Sequence, residues 1–254
     1  MNAALELVGA SVDLAGRRVV DGISVAVSPG EVLGVLGANG SGKTTLLRAS
    51  LGLARLAAGR ALLDGRDVGA LSEAQRAALA GYLPQERRVA WNLPAWRVAA
   101  LGAAHRPPSL ARSLALGAIE QVGMGALAQR GVLDMSGGER ARVLLARLIA
   151  TGAPLLIADE PAAGLDPEAQ FRVMDLLAQR AAAGAAVIVT LHDLTLAARA
   201  CDRLAILAHG RLVALGDPAS ALAPDILAAA FDLHGEIVAS PVGAVLAVRR
   251  LGSN

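Results

Sequence analysis

The apolar run VLGVLG at residues 32–37 gives way abruptly to GANGSGKTTL at 37–46, and apolar residues then resume. A short apolar run of this kind reads as a buried strand, and KTTLLRASLGL directly after the turn reads as a helix. The stretch from 37 to 43 holds three glycines and one lysine. A flexible connector would explain the glycines alone. The spacing Gly37-x-x-x-x-Gly42-Lys43-Thr44 asks for more, because it is the P-loop pattern in the strand–turn–helix setting that this pattern requires. Glycine lets backbone N–H groups converge on phosphate oxygens with no Cβ in the way. The helix behind the turn aims its positive end at the same point. In such a loop the lysine reaches the β- and γ-phosphates, and the Thr44 hydroxyl coordinates Mg²⁺. The ligand expected from this stretch alone is a nucleoside triphosphate.

Other segments extend the pattern. PLLIADE (154–160) and AAVIVTL (185–191) read as further buried strands. DPEAQFRVMDLLAQRAA (166–182) begins with Asp166 as cap and Pro167 in the first turn, and Val173, Leu176 and Leu177 give it an apolar face. Gly184 then lets the chain turn. RLAILAHGRLVALG (203–216) reads as a hairpin about His209 and Gly210. Strands alternating with helices predict an α/β fold around a mostly parallel sheet. Residues 86–134 offer no strong strand and much Ala, Leu and Arg, as expected for an inserted α-helical subdomain.

Hydrophobic residues make up 54% of the 254 residues, and the mean hydropathy is +0.50. Alanine supplies much of this. The longest apolar runs, at 148–158 and 237–248, fall short of the ~18–20 residues that span a bilayer. The first residues lack a basic start followed by an apolar core. The single cysteine, Cys201, fits a reducing compartment. These features predict a soluble cytoplasmic protein. A net charge of +2 with no Lys/Arg block argues against nucleic acid as a partner.

Two motifs add chemistry. LLIADEP carries Asp159 and Glu160 to the end of a buried strand, where ligands of such sheets bind. Asp159 can hold Mg²⁺ through water, and Glu160 can orient or deprotonate an attacking water. In MSGGER (135–140), Ser136 and Glu139 form the S-x-x-E capping box of a new helix. Gly137 and Gly138 bare its first N–H groups, so its tip is also an anion site.

Gly37–Thr45, Gln85 in GYLPQ, MSGGE, LLIADEP, GLDP and TLHD follow one another in the order found in ABC-type ATPases, and the chain resembles that family over nearly its whole length. The resemblance implies a P-loop NTPase fold with an N-terminal antiparallel β subdomain, a nucleotide-binding core over 1–85 and 135–254, and the helical insertion at 86–134. It implies that Gly37, Ala38, Asn39, Gly40, Ser41, Gly42, Lys43, Thr44 and Thr45 surround the triphosphate of ATP. Thr44, Gln85 and Asp159 would serve Mg²⁺, and Glu160, His192, Gln85 and Lys43 would serve hydrolysis. Ser136, Gly137 and Gly138, with Asp166 at the seam, would meet the nucleotide held by a second copy in a homodimer. Taken alone, His192 reads as a packed strand-end histidine and Gln85 as an ordinary loop amide.

Three departures stand out. Met135 replaces the usual leucine, and Glu139 the commoner glutamine. The position of the adenine-stacking aromatic falls on Leu14, in a chain only 2% aromatic. The stretches 82–106 and 190–241 resemble ATPase subunits of bacterial importers for ferric siderophores, haem and vitamin B12. Such a subunit sits on the cytoplasmic face of the inner membrane, pairs with permease subunits and serves a substrate-binding protein indirectly. Transport of another cargo is the alternative, and a non-transport ATPase a more distant one. Trp91 and Trp96 read either as subdomain packing or as contacts with the membrane subunit.

Overall fold

In the computed structural model, which describes residues 2–86, 89–241 and 243–252, the chain opens with two long strands, β1 (Leu5–Leu14) and β2 (Arg17–Val27). Strand β3 (Val32–Leu36) then runs into helix α1 (Lys43–Ser50). Next come β4 (Ala58–Leu63), β5 (Arg66–Asp67), α2 (Glu73–Leu79) and β6 (Ala80–Leu83). Helices α3 (Ala95–Ala100), α4 (Pro108–Gln121) and α5 (Gly137–Ala150) follow. The core resumes with β7 (Leu155–Ala158), α6 (Pro167–Ala182), β8 (Ala186–Thr190) and α7 (Leu194–Ala200). The hairpin β9 (Arg203–Ala208) and β10 (Arg211–Gly216) leads through α8 (Pro218–Ala221) and α9 (Pro224–Phe231) to a last hairpin, β11 (Leu233–Ser240) and β12 (Gly243–Arg250). The segment read as an insertion, 86–134, includes Arg87 and Arg88, which lie outside the described residues.

The central sheet has the order β10-β9-β3-β8-β7-β6, parallel except for the hairpin at β10. Its inner strands are buried on both faces, which explains their unbroken apolar runs. Alternate residues diverge. Val32, Leu36, Leu156, Val187 and Val189 join the core beneath α5, α6 and α7. Leu33, Val35, Leu155, Ile157 and Ile188 join a second core under the antiparallel sheet β2-β1-β4-β5 and helix α1. The parallel sheet is thus the middle layer of three. This puts the C-terminal ends of β3, β7 and β8 at one edge, where the P-loop pattern, the acidic pair and His192 all follow.

Local choices agree with this arrangement. Asp166 caps α6 by accepting from the Ala169 N–H at 2.9 Å, ahead of Pro167. His209 and Gly210, at φ 49° and 79°, close the β9–β10 hairpin. The apolar stretch at 237–248 is not one segment but the arms of the last hairpin, folded back so that Ile237 faces Leu246 across the pair.

Candidate nucleotide site

Helix α1 begins without a cap of the usual kind. Gly42 stands at its N-cap with φ 101°, no side chain caps the helix, and its first turn holds no acidic residue. The first N–H groups of such a helix have no intrahelical partner, so this tip is open to an anion. Glycine is required on steric grounds as well. A Cβ on Gly42 would come within 2.7 Å of the Val19 carbonyl oxygen, and one on Gly37 would collide with the Leu207 carbonyl. Lys43 is only 7% exposed, and its Nζ donates to the carbonyl oxygens of Gly37 at 2.8 Å and Ala38 at 3.2 Å. Burial pushes the Lys43 ammonium down from its ordinary range, while the carboxylates of Glu160 and Asp159 push it back up in part. Ser41 Oγ is buried with no hydrogen-bond partner among the described residues. A buried hydroxyl without a partner calls for an explanation, and a phosphate oxygen bound in the loop would supply one.

The acidic pair stands opposite. Asp159, 1% exposed, follows β7 and accepts from Thr190 Oγ1 at 2.7 Å and from the Tyr82 hydroxyl at 3.5 Å. Burial pushes the Tyr82 phenol up, so at neutral pH it remains a neutral donor. Glu160 adopts φ 52°, a left-handed conformation that costs a residue with a Cβ on the order of 1–3 kcal/mol. The turn carries its carboxylate to His192, with His192 Nε2 and Glu160 Oε1 2.6 Å apart. A cleft of about 200 Å³ results, lined by Val19, Gln85, Glu160 and the loop from Asn39 to Thr45. Lys43, Thr44, Gln85 and Glu160 thus line one cleft, with His192 joined to it through Glu160, while Asp159, the residue before Glu160, is buried and does not line it. The part of Val19 carries no sequence signal. Thr190 could have been found from the register of β7 and β8, which sets the polar end of AVIVT beside ADE.

The remaining residues lie elsewhere. Ser136 caps α5, and its capping box is complete. Ser136 Oγ accepts from the Glu139 N–H at 3.2 Å, and Glu139 Oε2 accepts from the Ser136 N–H at 2.8 Å. The Ser136 backbone N–H, and then its hydroxyl, hold the Glu139 carboxyl below its ordinary value. Ser136, Gly138 and Asp166 line a separate cavity of about 660 Å³ between α5 and α6, which shares no lining residue with the P-loop cleft. Gly137 is exposed at the same tip. Leu14, 47% exposed at the end of β1, does not line the cleft. The two tryptophans differ. Trp91 is 71% exposed, while Trp96 packs on the core and donates Nε1–H to Gln129 at 3.2 Å, with Arg97 and Arg112 over its ring.

Residues 20–163 match the model of the ABC transporter family. This chain belongs to that family. It is 38% identical over 255 residues to the cobalamin import ATP-binding protein BtuD of Halobacterium salinarum, covering 97% of this chain and 63% of that protein. It therefore spans less than two thirds of that relative's length. It is 39% identical over 251 residues to the hemin import ATP-binding protein HmuV of Myxococcus xanthus, covering 93% of both chains. Among solved structures, an inward-facing transporter described as of metal-chelate type superposes with a TM-score of 0.83 at 23% identity, over 98% of this chain and 97% of that one. That likeness bears on the fold: a P-loop α/β core with an antiparallel N-terminal sheet.

Proposed function

We propose that this chain is the ATP-hydrolysing subunit of an ABC importer for an iron complex, ferric siderophore or haem, or for cobalamin. The observation that carries the ATPase reading is that Lys43 and Glu160 line one small cleft at the uncapped end of α1, with His192 Nε2 2.6 Å from Glu160 Oε1. The cargo class is supported by the import proteins to which the chain is 38% and 39% identical. In this reading the loop from Gly37 to Thr45 holds the triphosphate with backbone N–H groups and Lys43. Ser41 Oγ gains a phosphate partner. Thr44, Gln85 and Asp159 offer a hydroxyl, an amide and a carboxylate, all oxygen donors suited to Mg²⁺. Mg²⁺, when bound, neutralises charge developing on the phosphates. Glu160 accepts a proton from the attacking water, and His192 holds that carboxylate in place and reaches the γ-phosphate.

The α5 tip lines a cavity that shares no residue with this cleft. It serves a second copy instead, in a two-fold pair with ATP at the seam. Ser136, Gly137, Gly138 and Asp166 lie on that surface. No helix of the described residues is long and apolar enough to cross a membrane. By likeness to the import ATP-binding proteins, the transport path in this reading belongs to permease subunits, with this chain bound at their cytoplasmic side and a substrate-binding protein acting from the far side.

Glu160→Gln tests the reading. It keeps the shape of the side chain and removes its basicity. The variant should bind ATP, turn over very slowly and accumulate as a dimer in size-exclusion chromatography with light scattering. Adding Ser136→Arg should abolish that dimer. Wild-type turnover in Glu160→Gln, or a monomer even with permease subunits present, counts against the assignment.

A further inference from the structure

Thr190 is fully buried at the end of AVIVT, whose other residues are all apolar. A hydroxyl there is unfavourable unless its hydrogen bonds are made. Two are made, and both go to the acidic pair. Oγ1 donates to Asp159 Oδ1 at 2.7 Å and accepts from the Glu160 N–H at 2.7 Å. The sheet dictates the meeting. Strands β7 and β8 run parallel with Ala158 opposite Val189, so the next step along each strand brings Asp159 beside Thr190. One side chain therefore grips two neighbouring residues with different tasks. On Asp159 it occupies Oδ1, and Oδ2 has the 3.5 Å contact with Tyr82. On Glu160 it holds the peptide whose φ of 52° turns the chain toward the cleft.

We propose that Thr190 is a positioning residue, whose hydroxyl sets the direction of the Asp159 carboxylate for the metal ion and locks the backbone turn that brings Glu160 to His192. The proposal rests on reading the cleft as a Mg-ATP site. A valine would fill the same space and suit a buried strand better. What valine cannot supply is the hydrogen bond given and the one received.

The test compares Thr190→Val with Thr190→Ser in the full chain. Three quantities are read: nucleotide binding in EDTA, the Mg²⁺ concentration that half-saturates the metal-dependent gain in binding, and steady-state turnover. Thr190→Val should leave binding in EDTA unchanged and raise the half-saturating Mg²⁺. Turnover should fall by about 10- to 100-fold, the usual loss when a group orienting a metal ligand is removed. Thr190→Ser, which keeps the hydroxyl and loses the methyl, should recover most of both. Should Thr190→Val fail to fold, Thr190→Cys, whose thiol is only a weak donor, replaces it in the same comparison. Wild-type Mg²⁺ dependence in Thr190→Val overturns the proposal, and so does Thr190→Ser impaired as deeply as Thr190→Val. Glu160→Gln run alongside keeps the two readings apart. Wild-type turnover there overturns the site assignment, whereas the Mg²⁺ shift in binding is read without turnover and decides the role of Thr190 by itself.

Discussion

Helices α1 and α5 both begin at glycine-rich turns, yet their first turns are built in opposite ways. At α1 the N-cap is a left-handed glycine, no side chain caps the helix, and no acid lies in the first turn. At α5, Ser136 and Glu139 complete a capping box, and Glu139 adds a negative charge. A capping side chain in place of an N-cap glycine stabilises a helix by only a few tenths of a kcal/mol, and α1 forgoes it. The first helix leaves its end open to an anion, and the Ser41 hydroxyl, without a partner among the described residues, points the same way. The second is complete as it stands. An anion offered to α5 finds two of its donors already engaged and a carboxylate close by. In the proposed pair, affinity for the nucleotide therefore belongs to α1. The tip of α5 contributes only when a phosphate is already held across the seam.

The largest effect is expected at Lys43, the cation at the bare tip of α1. Lys43→Ala should lose about 3–4 kcal/mol of transition-state stabilisation, the scale of one preorganised contact to developing charge. Steady-state assays should then show turnover down several hundredfold, and calorimetry should show weaker nucleotide binding. Turnover near the wild-type value would mean that α1 is not the working end. A smaller effect tests whether the phosphates account for all the affinity at α1. Leu14 has no π-face, and Leu14→Tyr should tighten ATP binding by about 0.5–1.5 kcal/mol, the gain of an aromatic contact beyond its area. No gain, together with strong preference for ATP over GTP in the unaltered chain, would place the base elsewhere. The smallest effect belongs to the capped tip. In Glu139→Gln the amide oxygen can still accept from the Ser136 N–H, so the cap survives while the charge is lost. In a Glu160→Gln background the ATP-driven dimer should form at a concentration about two- to fivefold lower, the factor expected for one charge at a helix end. An unchanged or weaker dimer would show that the carboxylate does not oppose the phosphate.

The sequence reads well where burial is two-sided. The runs at 31–37, 154–160 and 185–191 become β3, β7 and β8, because a strand enclosed on both faces needs apolar residues at every step. Strand β6 (Ala80–Leu83) is hidden in the sequence, since its alanine and glycine carry no strand preference and its place depends on pairing with β7. The last hairpin is hidden for another reason. Residues 237–248 look like one apolar run, and only the break at Ser240 and Gly243 separates two arms. The same contrast holds in the cleft. The loop, the acidic pair and His192 carry recognisable spacings. Thr190 does not, because a threonine ending a strand is ordinary until the strand beside it is known to be the one followed by Asp-Glu.

The scarcity of aromatic rings has an experimental consequence. Only two tryptophans occur in the chain, and both lie between residues 91 and 96. Light absorbed by indole alone is therefore emitted from that one segment. The exposed Trp91 should emit at long wavelength and be open to collisional quenchers, while Trp96, flanked by Arg97 and Arg112 and packed on the core, should be shielded from them. The single tyrosine, Tyr82, lies beside Asp159. The unmodified chain thus carries two separate optical reporters, one at the 91–96 segment and one beside the buried Asp159.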